Sequence, residues 1–215
     1  MRFRLFLGVL FFTILITAIL GAQNKFRTKG SGLWSNYSNI WEVYDTVSQQ
    51  WVSASRYPAE GDTITIRSGD SVNTGMKLTV NYLVIESGAT LVIDVDTLKI
   101  SNGPEVYDLV IYGTLHNKKV ITIGTNARWR IGGTYIHNTG TAISAPLNFA
   151  AIEPNSTFEY RDAGTAVTIS GRTYGHLKFT TASSYSPSPT GSVALTVNGT
   201  FTIGSGVVLN LTGFT

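Results

Sequence analysis

Residues 83–93 read Leu83-Val84-Ile85-Glu86-Ser87-Gly88-Ala89-Thr90-Leu91-Val92-Ile93. Apolar side chains alternate with their neighbours on both sides of a glycine turn, which is the pattern of two short β-strands. The same strand, turn, strand pattern recurs at residues 64–69, 109–115 and 195–203. Each unit is too short to bury its apolar face alone, so the units must stack. The repeat therefore predicts a β-solenoid.

The alternation also predicts the core, because alternate residues of a strand face the same side of a sheet. The inward columns are expected to contain Ile64 and Ile66, Leu83 and Ile85, and Leu91, Ile93 and Val95. The outward neighbours are expected to be Thr65, Val84, Val92 and Asp94. After Asp96 the inward parity moves to Leu98 and Ile100, which predicts a corner at that point.

Glycines separate the strand patterns, but their spacing is uneven. From Gly69 to Gly88 is 19 residues and from Gly113 to Gly124 is 11, so there is no strict hexapeptide or nonapeptide repeat. This irregularity favours a right-handed parallel β-helix over a regular left-handed one. Glycines at the corners, Gly113 and Gly124 among them, allow positive φ at little steric cost. A two-sheet β-sandwich is the alternative, since short strands with turns every 8 to 12 residues or so also describe that fold.

The first 22 residues have the layout of a secretory signal peptide. Arg2 and Arg4 precede an apolar run over residues 5–20, and the small residues Gly21-Ala22 follow. The run is about 16 residues, shorter than the ~20 needed to span a bilayer. We therefore expect cleavage after Ala22, a secreted or cell-surface protein, and no membrane span once the leader is removed.

Charge and cysteine content narrow the possible partners. Both charged residues of the leader are Arg, so removing it lowers Lys plus Arg from 16 to 14 against 13 Asp plus Glu. These charges are scattered singly and form no basic stripe, so nucleic acid is not an expected partner. The chain has no cysteine, which excludes disulfides and thiolate metal sites and leaves stability to a long continuous core.

The segment 23–57 is rich in aromatic residues and includes Trp34, Trp41 and Trp51. A solenoid end exposes strand edges and an apolar cross-section that something must cover. We therefore expect this segment to be an N-terminal cap, with a sugar-stacking platform as the alternative. The β-helix itself is expected to occupy residues 58–215.

Several stretches carry a family resemblance. In order, they are Gly32-Leu33-Trp34, Trp41, Trp51, Pro58, Gly61-Asp62-Thr63-Ile64-Thr65-Ile66, and Leu83-Val84-Ile85-Glu86-Ser87-Gly88-Ala89-Thr90-Leu91. Later marks are Gly133-Thr134-Tyr135-Ile136-His137-Asn138, Asn155-Ser156-Thr157-Phe158-Glu159-Tyr160, and Tyr174-Gly175-His176-Leu177. Together they resemble the N-terminal β-helical modules of large secreted proteins from Bacteroidota-type bacteria. They are also distantly similar to the extracellular domain named for its eight glycines.

The resemblance covers most of residues 30–180. It implies export, a β-helical architecture, and membership among surface proteins that act in adhesion or contact polysaccharide. It implies no catalytic residues. Such longer proteins often carry a C-terminal sorting domain for the type nine secretion route, and this sequence shows none. Since strand-like sequence also runs almost to Thr215, we expect the N-terminal part of a longer protein, or else an unusually blunt complete one.

Carboxylates are the first candidates for chemistry, because β-helical lyases and hydrolases use them as acids, bases or calcium ligands. The best pair is Asp94 and Asp96, expected to face outward two residues apart on one strand, about 7 Å from each other, with Lys99 just beyond the corner. The simpler interpretation is a solvated pair before a turn.

The other candidate residues are histidines and exposed aromatics. His116, His137 and His176 lack the close spacing of a metal site, so turn or packing roles are expected. The serines do not form a Gly-x-Ser-x-Gly motif. Tyr82 and Tyr112 are expected to face outward and Trp129 inward, and two tyrosines do not make a carbohydrate-binding stripe.

These observations favour a secreted, non-enzymatic extracellular scaffold or adhesion module. We expect no catalytic residue, no metal and no cofactor. The sequence does not identify the binding residues. The expected partners are extracellular polysaccharide or other cell-surface components. The alternative is a carbohydrate-binding or polysaccharide lyase-like protein.

Overall fold

A computed structural model describes residues 23–140, 150–162, 172–181, 184–185 and 195–210. The predicted signal peptide, residues 1–22, lies outside the described residues.

Short β-strands make up almost all of the regular structure. In chain order they are β1 (Lys25–Thr28), β2 (Gly32–Leu33), β3 (Trp41–Asp45), β4 (Gln50–Ser53), β5 (Thr63–Ile66), β6 (Ser71–Asn73), β7 (Leu78–Val80), β8 (Leu83–Ile85), β9 (Thr90–Ile93), β10 (Thr97–Ile100), β11 (Leu109–Ile111), β12 (Thr114–Asn117), β13 (Val120–Ile123), β14 (Trp129–Ile131), β15 (Thr134–His137), β16 (Ala150–Ile152), β17 (Thr157–Tyr160), β18 (Thr173–Tyr174), β19 (His176–Phe179), β20 (Ser184–Tyr185), β21 (Thr196–Val197), β22 (Phe201–Ile203) and β23 (Val208–Leu209). A single helical turn, α1 (Tyr37–Ile40), precedes β3.

Successive turns of the chain stack these strands into three parallel sheets. Sheet 1 runs β16-β14-β11-β8-β5-β1-β3-β4, sheet 2 runs β2-β6-β9-β12-β15-β17-β19-β22, and sheet 3 runs β13-β10-β7. The further pairs β18 with β21 and β20 with β23 are also parallel. Among the strands of the described residues, antiparallel pairing is found only where β3 meets β1 and β4. The predicted parallel β-helix is confirmed, and the β-sandwich alternative is not, because a sandwich is built from antiparallel sheets.

The strand register gives the length of each turn. From Ile64 to its partner Leu83 is 19 residues, from Leu83 to Leu109 is 26, and from Leu109 to Trp129 is 20. The long turn contains the loop between β10 and β11. The 11-residue interval from Gly113 to Gly124 noted in the sequence lies within one turn, so it does not measure the repeat.

Two kinds of corner glycine are present. Gly88 has φ 81° and Gly69 has φ 86°, in the left-handed region that favours glycine. Gly113 does not adopt positive φ. There a Cβ would meet the carbonyl oxygens of Glu86 and Ala89 on the preceding turn, so glycine is required by the close approach of two backbones.

The expected inward columns form the core, with one exception. The confirmed inward residues are Ile64, Ile66, Leu83, Ile85, Leu91, Ile93, Leu98, Ile100 and Trp129, all fully buried. Val95 is instead 59% exposed. Strand β9 ends at Ile93, so the chain has already left the sheet when it reaches Val95. The corner therefore begins before Asp94 rather than after Asp96.

The N-terminal segment caps one end of the stack. The antiparallel hairpin β3–β4 extends sheet 1 beyond β1. Trp34 and Trp41 are fully buried and meet edge-to-face, with ring centroids 4.8 Å apart. Trp51 is partly buried, and the guanidinium of Arg27 lies over its ring at 4.1 Å. The aromatic cap is confirmed, and the burial of Trp34 and Trp41 prevents those two rings from serving as a sugar-stacking platform.

Candidate functional site

The structure assigns turn-forming roles to Asp94 and Asp96. Both lie in the loop between β9 and β10, so the expectation that they share one strand is wrong. Asp94 Oδ1 accepts hydrogen bonds from the backbone N–H of Gly75 at 3.0 Å and from Thr74 Oγ1 at 3.3 Å. Asp96 Oδ1 accepts one from the N–H of Thr97 at 2.6 Å. The bonds of Asp94 join this corner to the preceding turn, and the bond of Asp96 lies within the corner itself.

The histidines have local partners. His137 is buried and its Nδ1 lies 3.3 Å from the hydroxyl of Tyr135. His176 Nδ1 accepts the N–H of Thr200 at 3.0 Å. Within the described ranges, no three His, Asp or Glu side chains are close enough to hold a metal ion. The packing and turn roles expected for His137 and His176 agree with these contacts.

A groove on the outer face of sheet 1 is the strongest candidate for a binding site. It has a volume of about 210 Å³. Its lining residues are Tyr82, Glu105, Val106, Tyr107, Val110, Tyr112 and Arg130. They come from three successive turns: Tyr82 precedes β8, Val110 lies on β11, and Arg130 lies on β14. The loop of residues 101–108, between β10 and β11, supplies one wall.

The loop 101–108 borders the outward column of sheet 1; Tyr107 is half-buried and Asp108 is buried, while Glu105 and Val106 are exposed. Val110 occupies the outward column of sheet 1, where its neighbours are Val84 and Arg130. An outward residue of a β-helix is normally open to water, yet Val110 is only 8% exposed. Val110 and the loop residues Val106 and Tyr107 line the same groove, and all three residues of β11 are buried.

Asp108 anchors the loop to the turns on either side. Its side chain is buried; Oδ1 accepts the N–H of Gly103 at 2.5 Å and Oδ2 accepts the N–H of Arg128 at 2.7 Å. The Asp108 carbonyl accepts the N–H of Leu83 at 2.9 Å. Gly103 has no room for a Cβ, which would overlap the carbonyl oxygen of Asn81. The groove is therefore preformed by backbone contacts.

The floor and rim of the groove combine aromatic rings with charges. Tyr112 is 42% exposed. The Arg130 guanidinium lies 5.7 Å from the ring centroid of Tyr112 and 5.9 Å from that of Tyr107. Arg130 Nε donates to a carboxylate oxygen of Glu153. This hydrogen bond raises the pKa of Arg130 above its ordinary value. The guanidinium is charged at neutral pH in any case, and the ion pair with Glu153 orients it.

The opposite rim carries Tyr82 and Glu105. Burial raises the pKa of the Tyr82 hydroxyl above its ordinary value, and the nearby carboxylate of Glu105 raises it further. Tyr82 therefore keeps its proton at neutral pH and presents a neutral hydroxyl that can donate and accept hydrogen bonds.

The alternation of inward and outward residues in the sequence identified part of this groove. Tyr82 and Tyr112 face outward as expected, but the interpretation that two tyrosines are too few missed Tyr107 and Arg130. A signal was available in the sequence: residues 101–108 interrupt the strand pattern with Gly103-Pro104-Glu105-Val106-Tyr107, which marks an insertion.

Comparison with family models, with curated proteins and with solved structures finds no match for this chain. In the part of the chain that the structure describes, no helix is long and apolar enough to cross a membrane.

Proposed function

We propose that this protein is a secreted, non-enzymatic extracellular module, an adhesion module or scaffold, that presents a side face of its β-helix to a polysaccharide or another cell-surface component. The observation that carries the proposal is the preformed groove on the outer face of sheet 1. A binding face needs fixed side chains, because ordering a mobile surface costs free energy on association.

The β-helix supports such a face by its construction. Each turn rests on the next through backbone hydrogen bonds and through fully buried columns such as Leu83, Leu109 and Trp129. Side chains in the outward column are held at the inter-strand spacing of about 4.8 Å. The face is therefore a rigid, periodic surface, which suits a repetitive or extended partner.

Export and adhesion can be tested together. The full chain is expressed in a Gram-negative bacterium, and the N-terminus of the exported protein is sequenced. Purified protein is then coated on beads, and attachment to bacterial cells and to immobilised extracellular polysaccharide is counted. A start at Gln23 and attachment above that of beads coated with the unfolded variant Ile85→Asp are the expected results.

Two results would contradict the proposal. One is retention of the chain in the cytoplasm with Met1 still present. The other is folded protein, verified by circular dichroism, that attaches to none of these surfaces.

The carbohydrate-binding alternative is compatible with this proposal and is favoured by one observation, the three tyrosines that line the groove. The lyase-like alternative depended on Asp94 and Asp96. Asp94 accepts hydrogen bonds from Thr74 and Gly75 on the preceding turn, and Asp96 accepts one from the N–H of Thr97 within its own corner. No arrangement among the described residues favours it.

A further inference from the structure

We propose that the groove formed by Tyr82, Tyr107, Tyr112 and Arg130 binds a neutral polysaccharide, one pyranose ring of which stacks on Tyr112. This inference rests on the proposed function and names the site and ligand class through which the module would act.

The first argument is the chemistry of the lining. Aromatic side chains offer a flat apolar face together with a polar edge, and a pyranose ring has the complementary form, with C–H groups on its faces and hydroxyls around its rim. Tyr82, Tyr107 and Tyr112 line one groove, and Arg130 lies near the rings of Tyr107 and Tyr112. The guanidinium presents several fixed N–H donors, which suit the hydroxyl and ring oxygens of a sugar held against the rings.

The second argument is charge. Arg130 is already paired with Glu153, and Glu105 adds a further carboxylate at the rim. A polyanion would have to displace Glu153 and approach Glu105, and a cation would meet Arg130. A neutral ligand rich in hydroxyls avoids both repulsions, because it can accept from the guanidinium and donate to the carboxylates.

The third argument is size and shape. Sites that enclose a whole small molecule usually have volumes of roughly 300 to 1,000 Å³, and this groove has about 210 Å³. It is suited to one ring of a longer chain rather than to an entire free ligand. Its residues span three adjacent turns, a distance on the order of 10 Å at the usual strand spacing, so neighbouring sugar units can lie along the same face.

The experiment compares four forms of the full chain on an array of oligosaccharides. The forms are wild type, Tyr112→Ala, Tyr112→Phe and the matched control Tyr37→Ala. Tyr37 is similarly exposed, at 39%, but lies on α1, away from the groove. The array contains neutral hexose oligomers, uronic acid oligomers and sulfated oligomers, and affinities for the ligands found are measured by calorimetry in low and high salt.

Wild type should bind neutral hexose oligomers with an affinity that changes little between the two salt concentrations, since the ligand carries no charge. Tyr112→Ala should weaken binding by about tenfold or more, the equivalent of ~1.4 kcal/mol. Tyr112→Phe keeps the ring and should stay within about threefold of wild type. Tyr37→Ala should bind as wild type does. Melting temperatures of all four forms verify that each is folded.

Three outcomes would overturn the proposal. They are equal binding by wild type and Tyr112→Ala, binding only to uronic acid or sulfated oligomers, and no binding of folded wild type to any oligosaccharide. If beads coated with wild type still attach to cells in these cases, the adhesion function stands and the groove is not its site. Loss of attachment as well would count against both.

Discussion

Three buried tryptophans differ in what their indole N–H groups contact. Trp34 Nε1 donates to the carbonyl of Pro58 at 3.0 Å, and Trp41 Nε1 donates to the carbonyl of Trp34 at 2.9 Å. Trp129 Nε1 is buried without a hydrogen-bond acceptor. Its ring meets Tyr135 edge-on, with centroids 5.4 Å apart and planes at 87°.

This difference predicts unequal costs for one conservative substitution. Trp34→Phe and Trp129→Phe remove similar apolar volume, but only the first removes a hydrogen bond and leaves a buried carbonyl without its donor. We expect Trp34→Phe to lower the free energy of unfolding by about 1 to 2 kcal/mol more than Trp129→Phe does. Urea denaturation of both variants measures the difference. Equal losses would show that the N–H of Trp129 has an acceptor in solution.

His116 is a second residue whose environment has a measurable consequence. Burial lowers the pKa of His116 below its ordinary value, and the positive charges of Lys118 and Arg161 lower it further, while Glu159 opposes them. Nε2 of His116 lies 3.2 Å from Nδ2 of Asn138. The neutral imidazole can accept a hydrogen bond there, whereas the protonated ring would place two donors opposite each other.

A histidine with a lowered pKa binds its proton more weakly in the folded state than in the unfolded state. Its contribution to stability is therefore complete above the unfolded pKa of about 6.5 and decreases as the pH falls below that value. We expect wild type to lose stability between about pH 7 and pH 5 more steeply than His116→Gln. Urea denaturation across this range, on both proteins, gives the two slopes. Parallel slopes would mean that His116 has an ordinary pKa in the fold.

Among the elements, the loop 101–108 is held in part by one buried carboxylate, that of Asp108. The two oxygens of Asp108 accept N–H groups from Gly103, within the loop, and from Arg128, on the following turn. An asparagine at this position has one acceptor oxygen, and its amide would face one of these N–H groups with another donor. Both N–H groups cannot then be satisfied.

We expect Asp108→Asn to destabilise the protein by about 1 to 3 kcal/mol, the usual cost of leaving a buried polar group unpaired. Glu105→Gln is the matched control, because Glu105 is an exposed loop carboxylate, and its effect should stay within ~0.5 kcal/mol. Thermal and urea denaturation measure both. Similar stability of the two variants would show that the loop is not held through Asp108.

The strands were predictable from sequence because a period of two is a local property. Ile64, Ile85 and Leu91 could be assigned to the core from their neighbours alone. The position of a corner is different, because it depends on where the adjacent turn ends its own strand. That is why Val95 was placed inside and lies outside. The groove was harder to predict than the corner, since the position of the loop depends on the contact between Asp108 and Arg128, 20 residues away in sequence.

At the scale of the molecule, the inward columns run continuously through the described turns, but burial differs along them. One column of sheet 2 passes from turn to turn through Ile93, Asn117, His137, Tyr160, Phe179 and Ile203. Ile93 near the middle is fully buried, whereas Ile203 on β22 is 51% exposed. At the other end, the hairpin β3–β4 and the buried rings of Trp34 and Trp41 cover the first turn.

Such a stack contributes stability turn by turn, because each turn contacts only its neighbours. The same substitution in one column should therefore lower the free energy of unfolding by different amounts at different positions along the axis. Ile93→Ala should cost about 2 to 5 kcal/mol, since it leaves a cavity between two covered turns. Ile203→Ala should cost less than about 1 kcal/mol, because half of that side chain is already in water.

Urea denaturation of the two variants measures these costs, and amide hydrogen exchange locates them. Exchange should be faster throughout the central turns in Ile93→Ala, but only in β19 and β22 in Ile203→Ala. Equal costs would mean that Ile203 is covered in solution, and repeating the denaturation over a range of protein concentrations would show whether a second molecule covers it. A cost for Ile203→Ala that is independent of concentration and as large as that of Ile93→Ala would contradict the half-exposed position of Ile203.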